Sequence, residues 1–315
     1  MRTVFFSRRT WRDWRLYGFV LPSLGMILTF SYFPAASAIY HSFFDWQGGE
    51  TKQFIRWANF QRAFADPILW TSFVTVAVLV AFNLVKMIPS IAMAVALHRL
   101  KGERAQYWYR VLLVVPMIVP GLVTLFIWKF FLDPNLGLLN RLLDLTGLKH
   151  LLVTMDQWFG WGVFAADVPI GWLAQPELIL PALFLWGFPW IGAVGVLIYL
   201  SGLQAIGREV YEAAEIDGVG PLGKFFYIEL PLILTQVRLS LTLLIISTLQ
   251  GYGLQLVLLG DGGGPGGRGL TPGLWMYNRA FIAGEFGYAC AIGIILFVFI
   301  LGLTLINNRF VRVEK

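Results

Sequence analysis

The sequence predicts an all-α integral membrane protein with six transmembrane helices and both termini on the cytoplasmic side. Three observations predict it. Of the 315 residues, 57 % are hydrophobic and only 13 % are charged, about half the charged fraction that covers a soluble domain. Six apolar runs each reach the roughly 20 residues that a helix needs to cross a bilayer. The Lys and Arg residues outside those runs fall two to one on one side, the bias that marks cytoplasmic segments.

The first run, 16–40, follows a basic stretch holding Arg2, Arg8, Arg9, Arg12 and Arg15. An A-x-A at Ala35–Ala38 resembles a signal-cleavage site, but the run before it is longer than the 7–15 residues of a signal h-region. The run therefore reads as an uncleaved helix. Residues 41–69 form a polar outer loop. The second run, 70–97, leads into a cytoplasmic loop over 98–110 with Arg99, Lys101, Arg104 and Arg110. The third, 111–132, leads into a long outer loop over 133–177. There Trp158, Phe159, Trp161, Phe164 and Trp172 predict an interfacial or packed segment.

The fourth run, 178–202, precedes a cytoplasmic loop over 203–230 with Arg208 and Lys224. The fifth, 231–259, precedes "GDGGGPGGRGLTPG", too rich in glycine for any regular element and read as a flexible loop. The sixth, 280–306, leads to a tail with Arg309, Arg312 and Lys315. The opposite side holds only Lys52, Arg56, Arg62, Arg141, Lys149, Arg268 and Arg279. The chain thus divides into a cytoplasmic N-terminus (1–15), a transmembrane domain (16–306) and a cytoplasmic tail (307–315). Pro22, Pro34, Pro89, Pro116, Pro120 and Pro189 lie in the runs, where bundles tolerate proline as a kink.

The net charge of +6 follows from this topology and requires no nucleic-acid partner. Cys290 is the single cysteine and sits in an apolar run, so no intrachain disulfide or cysteine metal site exists. His41, His98 and His150 show no metal-ligand spacing.

"DGVGPLGKFF", Asp217–Phe226, matches both G-x-x-x-x-G-K and G-x-G-x-x-G. Neither match predicts a nucleotide. A P-loop needs a strand before the glycines and a hydroxyl after the lysine, where this chain has Phe225. The preceding "REVYEAAEID" is charged and helix-forming, and no βαβ unit surrounds the glycines. The residues instead predict an elbow. Residues 208–217 form a short helix with Glu209 in its first turn, and Gly218 ends it in left-handed geometry. Pro221 opens a second helix running from Leu222 to Leu230 and stopping before Pro231. Glu209, Glu212, Glu215 and Asp217 make the first arm acidic, which suits either a solvated face or a docking surface for a basic partner.

Glu212-Ala213-Ala214, three residues, Gly218, nine residues, Ile228, one residue, Leu230-Pro231 resembles the E-A-A loop of binding-protein-dependent ABC importer permeases. "LYGFVLPSL" (16–24), "RVLLVVPMIVP" (110–120), "DPNLGLLNRLL" (133–143) and "AFIAGEFGYACAIGIILF" (280–297) are similar to the carbohydrate-uptake subgroup. Residues near 150–170 depart from it as an insertion. Trp57 and Asp261-Gly262 depart at outer-loop positions, and Val219 stands where a small residue is usual.

The resemblance implies a type I importer permease bundle in a bacterial inner membrane, without catalysis or a cofactor of its own. It implies docking of an ATPase through Glu212, Ala213, Ala214, Glu215, Asp217 and Gly218, with Ala213 and Ala214 permitting close approach. Two ATPase subunits, which bind the ATP and Mg²⁺, a second similar permease and an extracytoplasmic solute-binding protein are the implied partners, with membrane lipid around them. A sugar or glycerol-phosphate-type solute is the implied cargo.

A secondary transporter or channel without an ATPase is the other reading, although no Asp or Glu lies deep in a run to couple ions. A membrane enzyme would want His, Cys, Asp or Glu gathered on one face, and no such cluster is present. For a solute pathway the residues point to Asn83, Ser247, Gln250, Tyr252 and Gln255, with Trp128, Trp186, Trp190 and Tyr199 as aromatic candidates. "STLQGYGLQ" (247–255) is the least apolar part of any run, with Gly251 and Gly253 able to bend it. Lys86 lies inside the second run, where it is a candidate pathway residue, and Lys129 lies near the outer end of the third, within snorkelling reach of the interface.

Overall fold

A computed structural model describes residues 14–310. Arg2, Arg8, Arg9, Arg12, Arg312 and Lys315, part of the basis for the cytoplasmic termini, lie outside the described residues. All six apolar runs are helical, but only three form helices that could span alone: Gly18–His41, Pro67–Arg99 and Phe286–Asn307. The described chain forms two compact units. One contains the residues up to Asp66 with Arg279–Ile295, and the other Pro67–Asn278 with the chain from Leu296 onward.

In the first unit, Trp14–Ile27 passes through a π-turn (Leu28–Tyr32) into Phe33–His41. Apolar side chains here, such as Phe19 and Phe30, are largely exposed, as suits a helix whose surroundings are as apolar as itself. The loop expected at 41–69 is folded, and it adds a short hairpin to the otherwise helical chain. Strands Phe44–Trp46 and Lys52–Phe54 pair antiparallel, Asp45 opposite Gln53, and a helix follows at Ala58–Ala65. Gly48 makes the turn possible, since its φ is +88° and a Cβ there would strike the Phe286 ring. Arg62 grips Glu285 with both oxygens at 2.9 Å, and the Tyr288 hydroxyl donates to Asp66 at 2.7 Å.

In the second unit the 33-residue helix Pro67–Arg99 is the spine. Its inner half packs Ala94, Val95 and Leu97 against Val196, Tyr199, Leu200 and Leu203 of helix Ala193–Gln204. The other three spans are broken. The third turns by 86° between Glu103–Ile118 and Gly121–Phe131, because Pro116 and Pro120 cannot both continue the backbone ladder. The fourth, expected as one helix over 178–202, is two, Pro176–Leu185 and Ala193–Gln204. Gly187 and Trp190 between them have positive φ, which no helix accommodates. The fifth begins only at Leu234 and breaks at Gly251, before the short helix Gly253–Leu259.

The loop over 133–177 contains helices Leu138–Leu145 and Leu148–Phe159. Leu132, Ile170, Trp172 and Leu178 form its core. Asn140 organises it, accepting from the Trp172 indole at 2.8 Å and donating to the carbonyls of Pro134 and Ile170. Of the predicted aromatic segment Trp172 is buried, whereas Trp158 and Phe159 are exposed. The glycine-rich stretch holds no regular helix but is shaped by a series of tight turns, Gly267 N–H reaching Gly264 and Gly269 N–H reaching Gly263. Gly263, Gly264, Gly266 and Gly267 all adopt positive φ, so glycine here permits a defined fold instead of preventing one. Thr271 ends the stretch fully buried. Its hydroxyl accepts from Leu274 N–H, capping helix Pro272–Tyr277, and donates to the Gly251 carbonyl at 2.9 Å.

Candidate functional site

The elbow begins where the chain leaves Ala193–Gln204 and turns by 73° into Arg208–Ile216. Gly218 has φ +71°, Val219 N–H reaches the Ala214 carbonyl, and Gly218 N–H reaches Glu215. These two bonds make a Schellman turn, which satisfies the last carbonyls of the helix and fixes the angle of the elbow. The second arm does not stop before Pro231. A π-turn at Phe225–Glu229 lets Leu230 N–H bond back to Phe225, and Pro231 then opens the next segment, Leu230–Leu232. The missing N–H of Pro231 falls at a new first turn, where it costs little.

Glu212, Ala213, Glu215, Ile216, Asp217 and Gly218 are all exposed on this elbow. Ala214 is not: it is 4 % exposed and packs inside its own chain. Of the two alanines expected to allow close approach of a partner, only Ala213 faces outward. Two of the acids are partly answered within the elbow. Arg208 bonds Glu212 at 2.7 Å, and Lys224 bonds Glu215 at 2.9 Å. That Lys224 bond holds the Glu215 carboxyl below the usual carboxylate range. Beside them Ile216 is 88 % exposed, and Leu222 and Tyr227 on the second arm are nearly as bare. The face is therefore mixed acidic and apolar, which a reading of the charges alone missed. An isoleucine flanked by Glu215 and Asp217 is the signal that could have shown it.

A clamp behind the elbow was also missed. Arg99, the last residue of the spine helix, donates to both oxygens of Glu229 at 3.1 and 2.7 Å and to the Pro221 carbonyl at 2.8 Å. The Glu229 side chain is wholly buried. A buried carboxylate needs such a partner. It ties both ends of the second arm to the spine.

Farther along the same helix lies a cavity of about 450 Å³. Asn83, Lys86 and Ser90 line it from the spine, Trp186, Trp190 and Tyr199 from the broken fourth span, and Ser247 and Thr248 from the fifth. Lys86 Nζ donates to the carbonyls of Leu183 and Trp186 at 3.0 and 3.2 Å. Ser90 donates to the Trp190 carbonyl and accepts from Gly192 N–H. Together they brace the break in the fourth span. Asn83 donates to Thr248 at 2.9 Å.

Asn83 and Ser247 of the sequence-predicted pathway meet in this cavity. Gln250, Tyr252 and Gln255 are not among its lining, because the break at Gly251 redirects the chain. Tyr252 stacks on Tyr277 at 5.2 Å, and Gln255 is buried elsewhere. Lys129, expected to snorkel, donates to the Val257 carbonyl at 3.2 Å. Among the described residues no group of His, Cys, Asp and Glu is arranged to hold a metal.

Residues 87–313 match the model of a family described as the binding-protein-dependent transport system inner membrane component. The diacetylchitobiose uptake system permease protein NgcF of Streptomyces coelicolor is 31 % identical over 285 residues, covering 87 % of this chain and 75 % of its own. The sn-glycerol-3-phosphate transport system permease protein UgpA of Yersinia pestis is 28 % identical over 305 residues, covering 95 % of each. A bacterial alginate ABC transporter, solved in complex with an alginate pentasaccharide-bound periplasmic protein, contains a chain that superposes with a TM-score of 0.76. It shares 19 % identity, with 96 % of this chain and 95 % of that one covered. The bent spans, the elbow and the family match agree: this chain belongs to the inner-membrane components of binding-protein-dependent transport systems, a multi-pass permease subunit of an ABC importer with the type I fold.

Proposed function

We propose that this permease passes a carbohydrate or a closely related polyol derivative to the cytoplasm by alternating access, driven by a separate ATPase. The cargoes named for NgcF and UgpA support the substrate class. The Lys and Arg bias supports an orientation with both termini, the 98–110 loop and the elbow in the cytoplasm. A second, similar permease completes the pore, two ATPase subunits bind below, and a solute-binding protein docks on the outer side. ATP and Mg²⁺ belong to the ATPase subunits. The solute passes through the cavity between Asn83, Trp186 and Ser247, where aromatic faces and hydrogen-bonding groups meet. Family membership sets aside the alternative of a carrier or channel working without an ATPase.

One observation carries the coupling assignment: the elbow presents Glu212, Ala213, Glu215, Ile216 and Asp217 outward while its back is clamped to the spine by Arg99 and Glu229. A rigid mount with an exposed apolar tip suits transmission of force from a partner. Closure of the ATPase on ATP would carry the elbow with it and rock the spans. Tagged wild-type and Glu212→Lys complexes, purified in mild detergent and analysed by mass spectrometry, test this. Wild type should bring down an ATPase and a second permease, and the variant should lose the ATPase alone. A wild-type chain running alone would overturn the assembly. A variant that keeps its ATPase in full would overturn the docking role of Glu212.

A further inference from the structure

We infer that the cavity selects an anionic carbohydrate, one bearing a carboxylate, phosphate or sulfonate, and that Lys86 is the residue that reads the charge. This rests on the proposal that solute passes through the cavity, and refines it. The cargoes of the relatives leave the point open, since diacetylchitobiose is neutral and glycerol 3-phosphate is an anion.

Lys86 stands inside an apolar helix, where a charge at membrane depth is costly. Such a residue usually faces a partner or a pathway. Its partners here are two carbonyls, Leu183 and Trp186. They satisfy two of the three ammonium N–H groups but supply no formal negative charge. No ion pair among the described residues involves Lys86, and the cavity lining contains no Asp or Glu. Most other polar groups nearby have bonds of their own, and the unpartnered Ser240 hydroxyl on the cavity wall is neutral. Ser90 is committed to Trp190 and Gly192, Asn83 donates to Thr248, and Ser247 donates to Leu244. The strongest electrostatic feature of the cavity is therefore a positive charge with one N–H left to give. Charge-assisted bonds from such a group favour an anionic acceptor over a hydroxyl. The Trp186 and Trp190 rings supply flat apolar walls for the carbon face of a sugar.

A matched pair of sugars tests this in the assembled importer, held in nanodiscs of phosphatidylcholine alone so that no anionic lipid competes. D-glucuronate and D-glucose differ in one carboxylate. Each is titrated against tryptophan fluorescence, with Trp186→Phe identifying the part of the signal that comes from the cavity. Wild type should respond to glucuronate at a concentration lower than for glucose by at least about ten-fold. Lys86→Arg should retain the preference, and Lys86→Gln should abolish it, each read as the ratio of the two sugars' half-maximal concentrations within one variant. The wild-type pair needs no variant to fold. Equal responses in wild type, a preference for glucose, or a glucuronate preference that survives in Lys86→Gln would overturn charge selection and leave the carbohydrate cavity standing. Silence toward both sugars would overturn the cavity proposal and this refinement together.

Discussion

Lys86 and Arg99 are cations on one helix, and they are answered in opposite ways. Arg99 meets a carboxylate of its own chain, Glu229, in a two-pronged bond. Lys86 meets two backbone carbonyls, the face of the Phe184 ring at 5.7 Å and the open space of a cavity, with no carboxylate. A buried charge compensated within the chain is scaffolding, and its loss should be felt in stability. One left without a countercharge contributes little net stability, and its value lies in what it can bind.

Arg99→Met should give the largest effect. It strands Glu229 in a site with no exposure, which costs about 3 kcal/mol and should lower the unfolding temperature of the purified complex by several degrees. Arg99→Met combined with Glu229→Met should recover most of that loss, since an apolar pair of similar volume is often neutral where a broken ion pair is not. A double variant as unstable as the single would mean that Arg99 acts mainly through the Pro221 carbonyl. Lys86→Gln should cost less, within about 1 kcal/mol, because it gives up charge-assisted bonds but also removes an uncompensated cation. A loss as large as that of Arg99→Met, in the same melting assay, would erase the contrast. Arg208→Ala should be smallest, a few tenths of a kcal/mol, because its pair with Glu212 is exposed and of the i, i+4 kind. Measured beside Arg99→Met, it separates the effect of burial from that of pairing.

The sequence was most informative where one local pattern decides the outcome. Runs of apolar residues specify helices, and the twenty residues from Glu212 to Pro231 specify an elbow, because a turn at Gly218 depends on its immediate neighbours. The breaks in the spans were less legible. Pro22, Pro89 and Pro181 sit inside helices, whereas Pro116, Pro120 and Pro189 fall at breaks. What packs against each proline decides between these fates, and that is not local. The cavity shares the difficulty. Asn83 and Ser247 line the cavity, whereas Gln250, Tyr252 and Gln255 do not, because a glycine pair shows that the segment can bend but not in which direction. The turn at Gly251, held by Thr271 from twenty residues away, removes them. Glu229 was invisible for a similar reason, since a single acid in an apolar stretch gives no hint of the arginine that receives it.

The unbroken spine has a mechanical consequence. At 1.5 Å per residue, Pro67–Arg99 is about 50 Å long, and Lys86 stands about 20 Å from Arg99 along it. No loop intervenes between the clamp at the elbow and the wall of the cavity. Pro89, inside the helix, is the single point of compliance in that load path. A displacement at the elbow end thus reaches the cavity as the movement of one stiff rod, and whatever rotation the rod undergoes turns Asn83, Lys86 and Ser90 together.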